Sequence, residues 1–408
     1  MKRFFMIFMY FPSINFAIYK AEIFPWAILI AANRVRFCSS LELTIIGWLF
    51  LSALHGLYVS QEYFEYFRSL GGYFNFFAAI FVAKSMNVKS LKDTVRLNTI
   101  VFWFLLVLGS LQFFDVIHFL NSTLQFLVPR ASSGALLEMG RGVTLLSSEP
   151  ARAGVELIFI YFLYRLTISN IKQKLFDILM LLFLVFVVQS AMAMLLYFVF
   201  LAFNYFRIAL LFVFFSGAVT TQLMESDGGG RSVELLRDLL SGDIQSGLFL
   251  LFNTGGHRMF SLWSSYNYGL SNLFGGGVGA WEYSSIEAIK LTGYDISNLR
   301  YFQVHGGGGA VPIRSSGIVS NMVLDLGYLF VGLFLWYVLS PLKRVYKKTS
   351  QFSAAVPIIA VFLIKILAVG SIGTPVEVFC FIIFVRCYEL KYRKKIHKDT
   401  VSTYVPVL

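Results

Sequence analysis

The feature that most constrains the fold is a series of long apolar runs separated by short clusters of lysine and arginine. A helix that crosses a membrane needs about 20 mostly apolar residues, and basic residues in short loops favour the cytoplasmic side. The clusters are Lys2-Arg3, Arg34/Arg36, Lys84/Lys89/Lys92/Arg96, Lys172/Lys174, Lys343/Arg344/Lys347/Lys348 and Lys391 to Lys398. We therefore predict an all-α polytopic membrane protein whose basic clusters lie in the cytoplasm.

The composition excludes the soluble classes of protein. Of the 408 residues, 57% are apolar and 14% are charged, whereas a soluble chain carries about 25% charged residues. The formal net charge of +12 comes from clusters between apolar runs, so it does not indicate nucleic-acid binding. The cysteines Cys38, Cys380 and Cys387 form neither a pair nor a CxxC motif, so neither a disulfide scaffold nor a zinc site is supported.

The apolar runs predict about 12 transmembrane helices. With the N-terminus in the cytoplasm, every basic cluster falls on the cytoplasmic side, and so does the C-terminus. The segments 22–33 and 191–204 are the weakest of these spans, and either could be re-entrant. Losing one of them would invert the orientation of all later spans and place basic clusters on the wrong side. An even total number of spans is therefore favoured. The predicted spans are residues 4–19, 22–33, 41–60, 70–86, 98–120, 153–168, 174–189, 191–204, 206–223, 317–339, 352–369 and 374–389.

The chain divides into three regions at the long loops between these spans. Residues 1–223 contain transmembrane helices 1–9 with an outer loop at about 121–152, and residues 317–408 contain helices 10–12 and a basic cytoplasmic tail. Residues 224–316 form a large extracytoplasmic (periplasmic) loop, which holds most of the glycines: 18 of the 32 lie between Gly228 and Gly317. We expect short helices at about 232–240 and 284–292, without an independent domain. A loop this long is more often functional than a simple connector.

Arginines on the predicted outer side are unusual because basic residues favour the inner side. They are Arg130, Arg141, Arg152, Arg258, Arg300 and Arg314. Each could form an ion pair with a loop acid such as Glu138, Glu149 or Asp295. Six of them in two loops favour an anionic ligand, and the planar guanidinium suits a diphosphate because it binds two oxygens at once.

Arg152 lies where a predicted helix begins. Ser147 or Ser148 can cap this helix, and Pro150 is favoured in its first turn. A helix N-terminus presents free backbone N–H groups and the positive end of the helix dipole, both of which attract anions. The alternative is an ion pair of Arg152 with Glu149 or with Glu156 on the same helix face.

The 224–316 loop holds two further groups of candidate residues. His257-Arg258 is followed by Trp263 and by the glycines of the segment 273–279, which either let the backbone approach a ligand or form plain flexible turns. His305 is followed by four glycines and then by Arg314. Each histidine is either a hydrogen-bonded structural residue or a catalyst.

One charge lies within a predicted span. Lys365 is an intramembrane cation, which by default indicates function. It could pair with Glu377, extend its ammonium group to the interface, or line the same cavity as the outer arginines.

Three features together resemble the O-antigen and polysaccharide polymerases (Wzy type), which are relatives of the O-antigen ligases. The first is the turn Ser147-Ser148-Glu149-Pro150-Ala151-Arg152 at the start of a span. The second is Arg258 with Trp263 and the segment 272–279, in which Arg258 and Gly269 also fit a family spacing. The third is His305, Arg314 and the segment 321–332, which contains the acidic-x-Gly motif Asp325-Leu326-Gly327. The sequence departs from the family at the four glycines after His305, where polar residues are expected.

The resemblance implies a metal-independent, lipid-diphosphate-dependent glycosyltransferase in the bacterial cytoplasmic (inner) membrane, with its active site facing the periplasm. The enzyme would transfer glycan from undecaprenyl diphosphate to the non-reducing end of another lipid-linked repeat unit. Undecaprenyl-diphosphate-linked glycan is then the substrate, and no cofactor is implied. The implied partners are lipid-linked oligosaccharide, membrane lipid, a polysaccharide chain-length regulator and a flippase, and no nucleic acid.

Residue roles follow from what this reaction requires. Arg152, Arg258, Arg314 and Arg141 would bind the diphosphate, because fixed positive charge stabilises a departing anion. His305 is the first candidate for the base that deprotonates the acceptor hydroxyl, with Glu149 and His257 as the next candidates.

Two other functions remain open. An O-antigen ligase, which transfers glycan to the lipid A core, shares this chemistry. A flippase or other transporter of lipid-linked oligosaccharide would have a similar number of spans, although transporters commonly show two related halves, and no internal repeat is visible. The identity of the sugars, the linkage, inversion or retention at the reacting carbon, and the oligomeric state are also open.

Overall fold

The computed structural model describes residues 5–14, 24–32, 39–59, 63–128, 142–206, 257–346, 355–370 and 372–402, and within these ranges it contains helices and no strand. Among these residues, three helices are long and apolar enough to cross a membrane, Ser40–Val59, Val88–Phe113 and Ile318–Leu342. Ala191–Asn204 and Val356–Ala368 are apolar but shorter. The structure therefore indicates an all-helical membrane protein, without confirming the predicted 12 spans. The predicted span 206–223 and the predicted short helix at 232–240 lie outside the described residues, apart from Phe206.

The helices of the described residues are numbered here in chain order. They are α1 (Trp26–Ala32), α2 (Ser40–Val59), α3 (Tyr63–Ser85), α4 (Val88–Phe113), α5 (Asn121–Leu127), α6 (Pro150–Arg165), α7 (Asn170–Phe183), α8 (Ala191–Asn204), α9 (His257–Ser271), α10 (Trp281–Leu291), α11 (Arg300–Gly306), α12 (Ile318–Tyr346), α13 (Val356–Ala368) and α14 (Val376–Ser402). A π-helical turn, Leu184–Val188, continues α7.

The described residues of the N-terminal segment do not form two long helices. Phe5–Met9 is a short 3₁₀ helix followed by turns. The backbone N–H of Phe24 donates to the Pro12 carbonyl at 2.8 Å, and the Trp26 indole donates to the Ile14 carbonyl at 2.7 Å. The chain thus folds back on itself. The 7 residues of α1 reach about 10 Å, against about 30 Å of hydrocarbon, so the described residues do not confirm the predicted spans 4–19 and 22–33, of which the second could be re-entrant.

Helices α4 and α6 run in opposite directions. The Asn98 amide donates to the Ile160 carbonyl at 2.9 Å, and Gln112, further along α4, bonds Leu145 just before α6. At the other end of the bundle, Lys84 donates to the Tyr337 carbonyl, and Arg386 donates to the Lys84 carbonyl at 2.6 Å. We call this end, with Lys84, Arg165 and Arg386, the basic end. The loop end is the opposite one, which carries the segments 142–149, 257–316, 369–370 and 372–375.

Helix α6 lies at the centre of the bundle. Every residue from Ala153 to Tyr164 is buried, as expected for a helix that is apolar on all sides. It packs against α4, α8 and α14. Gly154 permits the close approach to α8, because a side chain there would come within 2.6 Å of the Ala193 methyl carbon.

Helices α9, α10 and α11 form a small helical cluster at the loop end. Its apolar centre contains Phe260, Ile289, Leu299, Phe302 and Ile313. Helix α10 confirms the predicted helix at about 284–292. The segments at His257 and His305, by contrast, are helical, although the sequence suggested loops there.

Candidate functional site

The segment 142–149 is fixed firmly before it enters α6. The Gln112 side chain donates to the Leu145 carbonyl at 3.1 Å and accepts from the Leu145 backbone N–H at 2.9 Å. Leu145 itself has φ 54°, and Gly142 has φ 75° where its backbone meets Val188. These contacts set the position from which α6 begins.

Arg152 lies in the first turn of α6 and is half-buried. The predicted cap by Ser147 or Ser148 is wrong, because Glu149 occupies the N-cap in extended conformation and the helix has no side-chain cap. Ser148 instead accepts a 2.7 Å hydrogen bond from Arg152 Nη1. Arg152 also interacts electrostatically with Glu156, one turn further along the helix, and it lies at a helix start, a position suited to an anion.

Three charged side chains from different helices come together about one turn along α6 from Arg152. Lys365 Nζ on α13 lies 3.0 Å from Glu377 Oε1 on α14, and the exposed fractions of these side chains are 0% and 2%. This ion pair confirms one of the alternatives predicted for Lys365. Glu156, which is 6% exposed, interacts electrostatically with both partners. From the sequence, Glu156 is predicted only as a partner of Arg152, although its place in an apolar run is the signal that could have identified it.

The two candidate histidines lie on either side of one tyrosine. The ring centroids of His257 and Tyr301 are 4.2 Å apart, and those of Tyr301 and His305 are 4.6 Å apart. Burial, the charge of Arg258 and the neighbouring His305 lower the pKa of His257 below its ordinary value of 6.5. His305 and Arg258 are exposed, whereas His257 is half-buried.

Arg314 lies in the connection between α11 and α12. Its Cζ atom is 5.7 Å from the ring centroid of Trp281, and its charge acts on Asp325 in α12. The buried Asp325 carboxylate accepts a 2.8 Å hydrogen bond from the Tyr73 hydroxyl. Asp325 is the acidic residue of the predicted acidic-x-Gly motif, whereas its contact with Tyr73 spans 252 positions of the chain and has no local sequence signal.

The glycine-rich segment 273–279 packs against the protein's own backbone. Helix α12 is interrupted at Gly327, which has φ 80° and ψ 170°. The N–H groups of Gly276 and Gly277 donate to the carbonyls of Leu324 and Asp325 at 2.8 and 2.9 Å. These hydrogen bonds replace helical ones that the interruption of α12 removes. The glycines therefore allow a loop to dock into a broken helix, which neither sequence interpretation of them anticipated.

The described candidate residues all lie at the loop end. Ser316, two residues after Arg314, donates to the Arg258 carbonyl at 3.0 Å. Tyr266 on α9 donates to the Leu367 carbonyl of α13 at 2.6 Å, two residues beyond Lys365. Glu149 and Arg152 share the start of α6, and His257 and His305 share Tyr301. Arg141 lies outside the described residues.

No group of three or more histidine, cysteine, aspartate or glutamate side chains in the described part of the chain is placed to hold a metal ion. Comparisons with models of protein families, with curated proteins and with solved structures found no match. The fold and the site define the class as an all-helical membrane protein with a charged, histidine-containing loop end.

Proposed function

We propose that this protein polymerises lipid-linked oligosaccharide repeat units on the outer face of the bacterial inner membrane. It transfers glycan from undecaprenyl diphosphate to the non-reducing end of another unit. The observation that carries the proposal is that Arg152, Arg258 and Arg314 lie at the same end of the helical bundle, which also carries a pair of histidines.

Arginine charge meets the first requirement of the reaction. As the bond between the sugar C1 and the phosphate oxygen breaks, its electron pair passes to the diphosphate, which then carries an additional negative charge. Fixed guanidinium groups stabilise that charge without reorganising, and this term is often the largest in catalysis. The start of α6 adds backbone N–H groups beside Arg152.

The histidine pair meets the second requirement. The acceptor hydroxyl loses its proton as its oxygen attacks C1, and a neutral imidazole can take that proton. Because its pKa is lowered, His257 is mainly neutral at pH 7. His305, the first candidate from the sequence, is more exposed and reaches the same place across Tyr301.

One observation favours a second candidate function. The buried group of Lys365, Glu377 and Glu156 resembles the ionisable sites that mark ion and substrate pathways in membrane proteins, as in a transporter of lipid-linked oligosaccharide. An O-antigen ligase would use the same arginine chemistry as the polymerase. Deleting the gene separates the two enzymes, because loss of a polymerase leaves single repeat units on the lipid core and loss of a ligase leaves none.

The first prediction concerns the arginines. Arg152→Ala, Arg258→Ala or Arg314→Ala should abolish polymer in cells while the amount of protein in the membrane stays unchanged. Arg152→Lys should also reduce polymer, because an ammonium group cannot bind two oxygens in the planar geometry of a guanidinium. Gel analysis of the glycan measures the result.

Lys290→Ala is the matched control, since Lys290 is an exposed cation of α10 in the same helical cluster. Polymer of normal length and amount in the three alanine variants would exclude these arginines from the site and contradict the proposal.

A further inference from the structure

A group of buried charged side chains lies one helical turn along α6 from Arg152. Glu156 follows Arg152 by one helical turn, so both side chains lie on one face of α6. The Lys365–Glu377 ion pair faces them from α13 and α14. Glu156 Oε1 and Glu377 Oε2 are buried without a hydrogen-bond partner among the described residues, and the Ser147 side chain lies beside Glu156.

Such buried atoms destabilise the folded protein when they stay without a hydrogen-bond partner. Two carboxylates that share a buried site also repel each other, so one of them gains from taking a proton. The Lys365 ammonium pairs with Glu377, so a proton on Glu156 would remove the repulsion between the two carboxylates. The chemistry of this group of side chains is therefore that of a proton-binding site.

The charged and titratable groups around Glu156 come from few elements. Helix α6 supplies Arg152, α13 supplies Lys365, and α14 supplies Glu377 and the buried thiol of Cys380. Helix α8 contains no charged residue. The charged residues of α4 precede Asn98, which bonds Ile160, one turn further along α6 than Glu156. Gly370 covers the lysine, since a side chain there would come within 2.9 Å of Lys365 Nζ.

We propose that Glu156 takes up one proton when a diphosphate binds at Arg152, so that anion binding and proton binding strengthen each other. This inference rests on the anion site of the proposed function. An anion at Arg152 neutralises the positive charge that favours the ionised form of Glu156, and a proton from solvent then adds to its carboxylate. Because coupling between two sites is reciprocal, protonated Glu156 must in turn bind the anion more tightly.

The test uses the full-length purified protein and farnesyl diphosphate as the probe. Its dissociation constant is measured by calorimetry from about pH 6 to about pH 9 for wild type and Glu156→Gln, which mimics the protonated side chain. The affinity of the wild type should fall with rising pH over this range. The fall should exceed that of Glu156→Gln by about fivefold or more. Titration of the ligand itself is common to both proteins and cancels. In weakly buffered solution, the wild type should take up protons on binding and Glu156→Gln should take up fewer.

Two further variants separate the possible outcomes. Glu287→Gln on α10, where the carboxylate accepts from Tyr283, is the matched control and should behave as wild type. Identical pH dependence in wild type and Glu156→Gln, with weaker binding in Arg152→Ala, would overturn the inference and leave the proposed function standing. Unchanged binding in Arg152→Ala would remove the anion site itself, and the inference with it.

Discussion

At the scale of single residues, local spacing could predict some contacts of the site and not others. Tyr301 and His305 are four positions apart on α11, a spacing that brings side chains together on any helix. His257 reaches Tyr301 only because α9 and α11 pack around Phe260 and Phe302, whose rings are 5.6 Å apart. The Lys365–Glu377 pair could be suspected because two charges in apolar runs must find partners.

A second prediction tests the environment of His257. Its pKa is lowered from 6.5 in the folded protein. At pH values between the folded-state pKa and 6.5, the unfolded chain binds more protons than the folded protein does. The contribution of neutral His257 to stability is therefore complete above pH 6.5 and is lost as the pH falls through the folded-state pKa. His257→Gln should therefore make the thermal midpoint fall less steeply on acidification than in wild type.

The measurement is thermal unfolding in detergent from about pH 7.5 to about pH 5. His55→Gln, which replaces an exposed histidine of α2, is the matched control. Equal acid dependence of His257→Gln and wild type would show that His257 is not held in its neutral form.

At the scale of elements, the break in α12 is joined to the glycine segment 273–279. The motif Asp325-Leu326-Gly327 indicated a special position, but the sequence could not show that the break bonds a distant loop. Gly275 and Gly277 permit backbone-to-backbone contact, and a side chain on Gly277 would come within 2.6 Å of the Gly56 nitrogen on α2. The glycine-rich part of the loop is thus a structural contact of the bundle.

A third prediction follows for these glycines. Gly277→Ala should lower the free energy of unfolding by about 2 kcal/mol or more, because the residue has φ 99° and no space for a methyl group. Gly332→Ala in α12 is the control, since nothing lies within 4 Å of the position that its Cβ would take. That control should be neutral or stabilise by up to about 1 kcal/mol. Similar stability of the two variants, measured by denaturant titration in detergent, would contradict the docking role.

At the scale of the whole molecule, the sequence predicted the helical class and the gathering of charged residues at one end better than it predicted the spans. Hydropathy counts apolar residues and cannot distinguish a spanning helix from an apolar segment that folds back, as residues 5–14 do against α1. If neither of the two N-terminal segments crosses the membrane, the number of crossings falls by two, which is an even number. This difference by itself therefore does not invert the predicted sidedness of the later helices.

The most direct measurement is product formation by the purified protein in vesicles that contain undecaprenyl-diphosphate-linked repeat units and no other enzyme. The proposed function predicts a ladder of glycans that grows by one repeat unit per step, and Arg152→Ala should yield none. Repeat units that remain single in the presence of the wild-type protein, or that only cross the vesicle membrane, would contradict it.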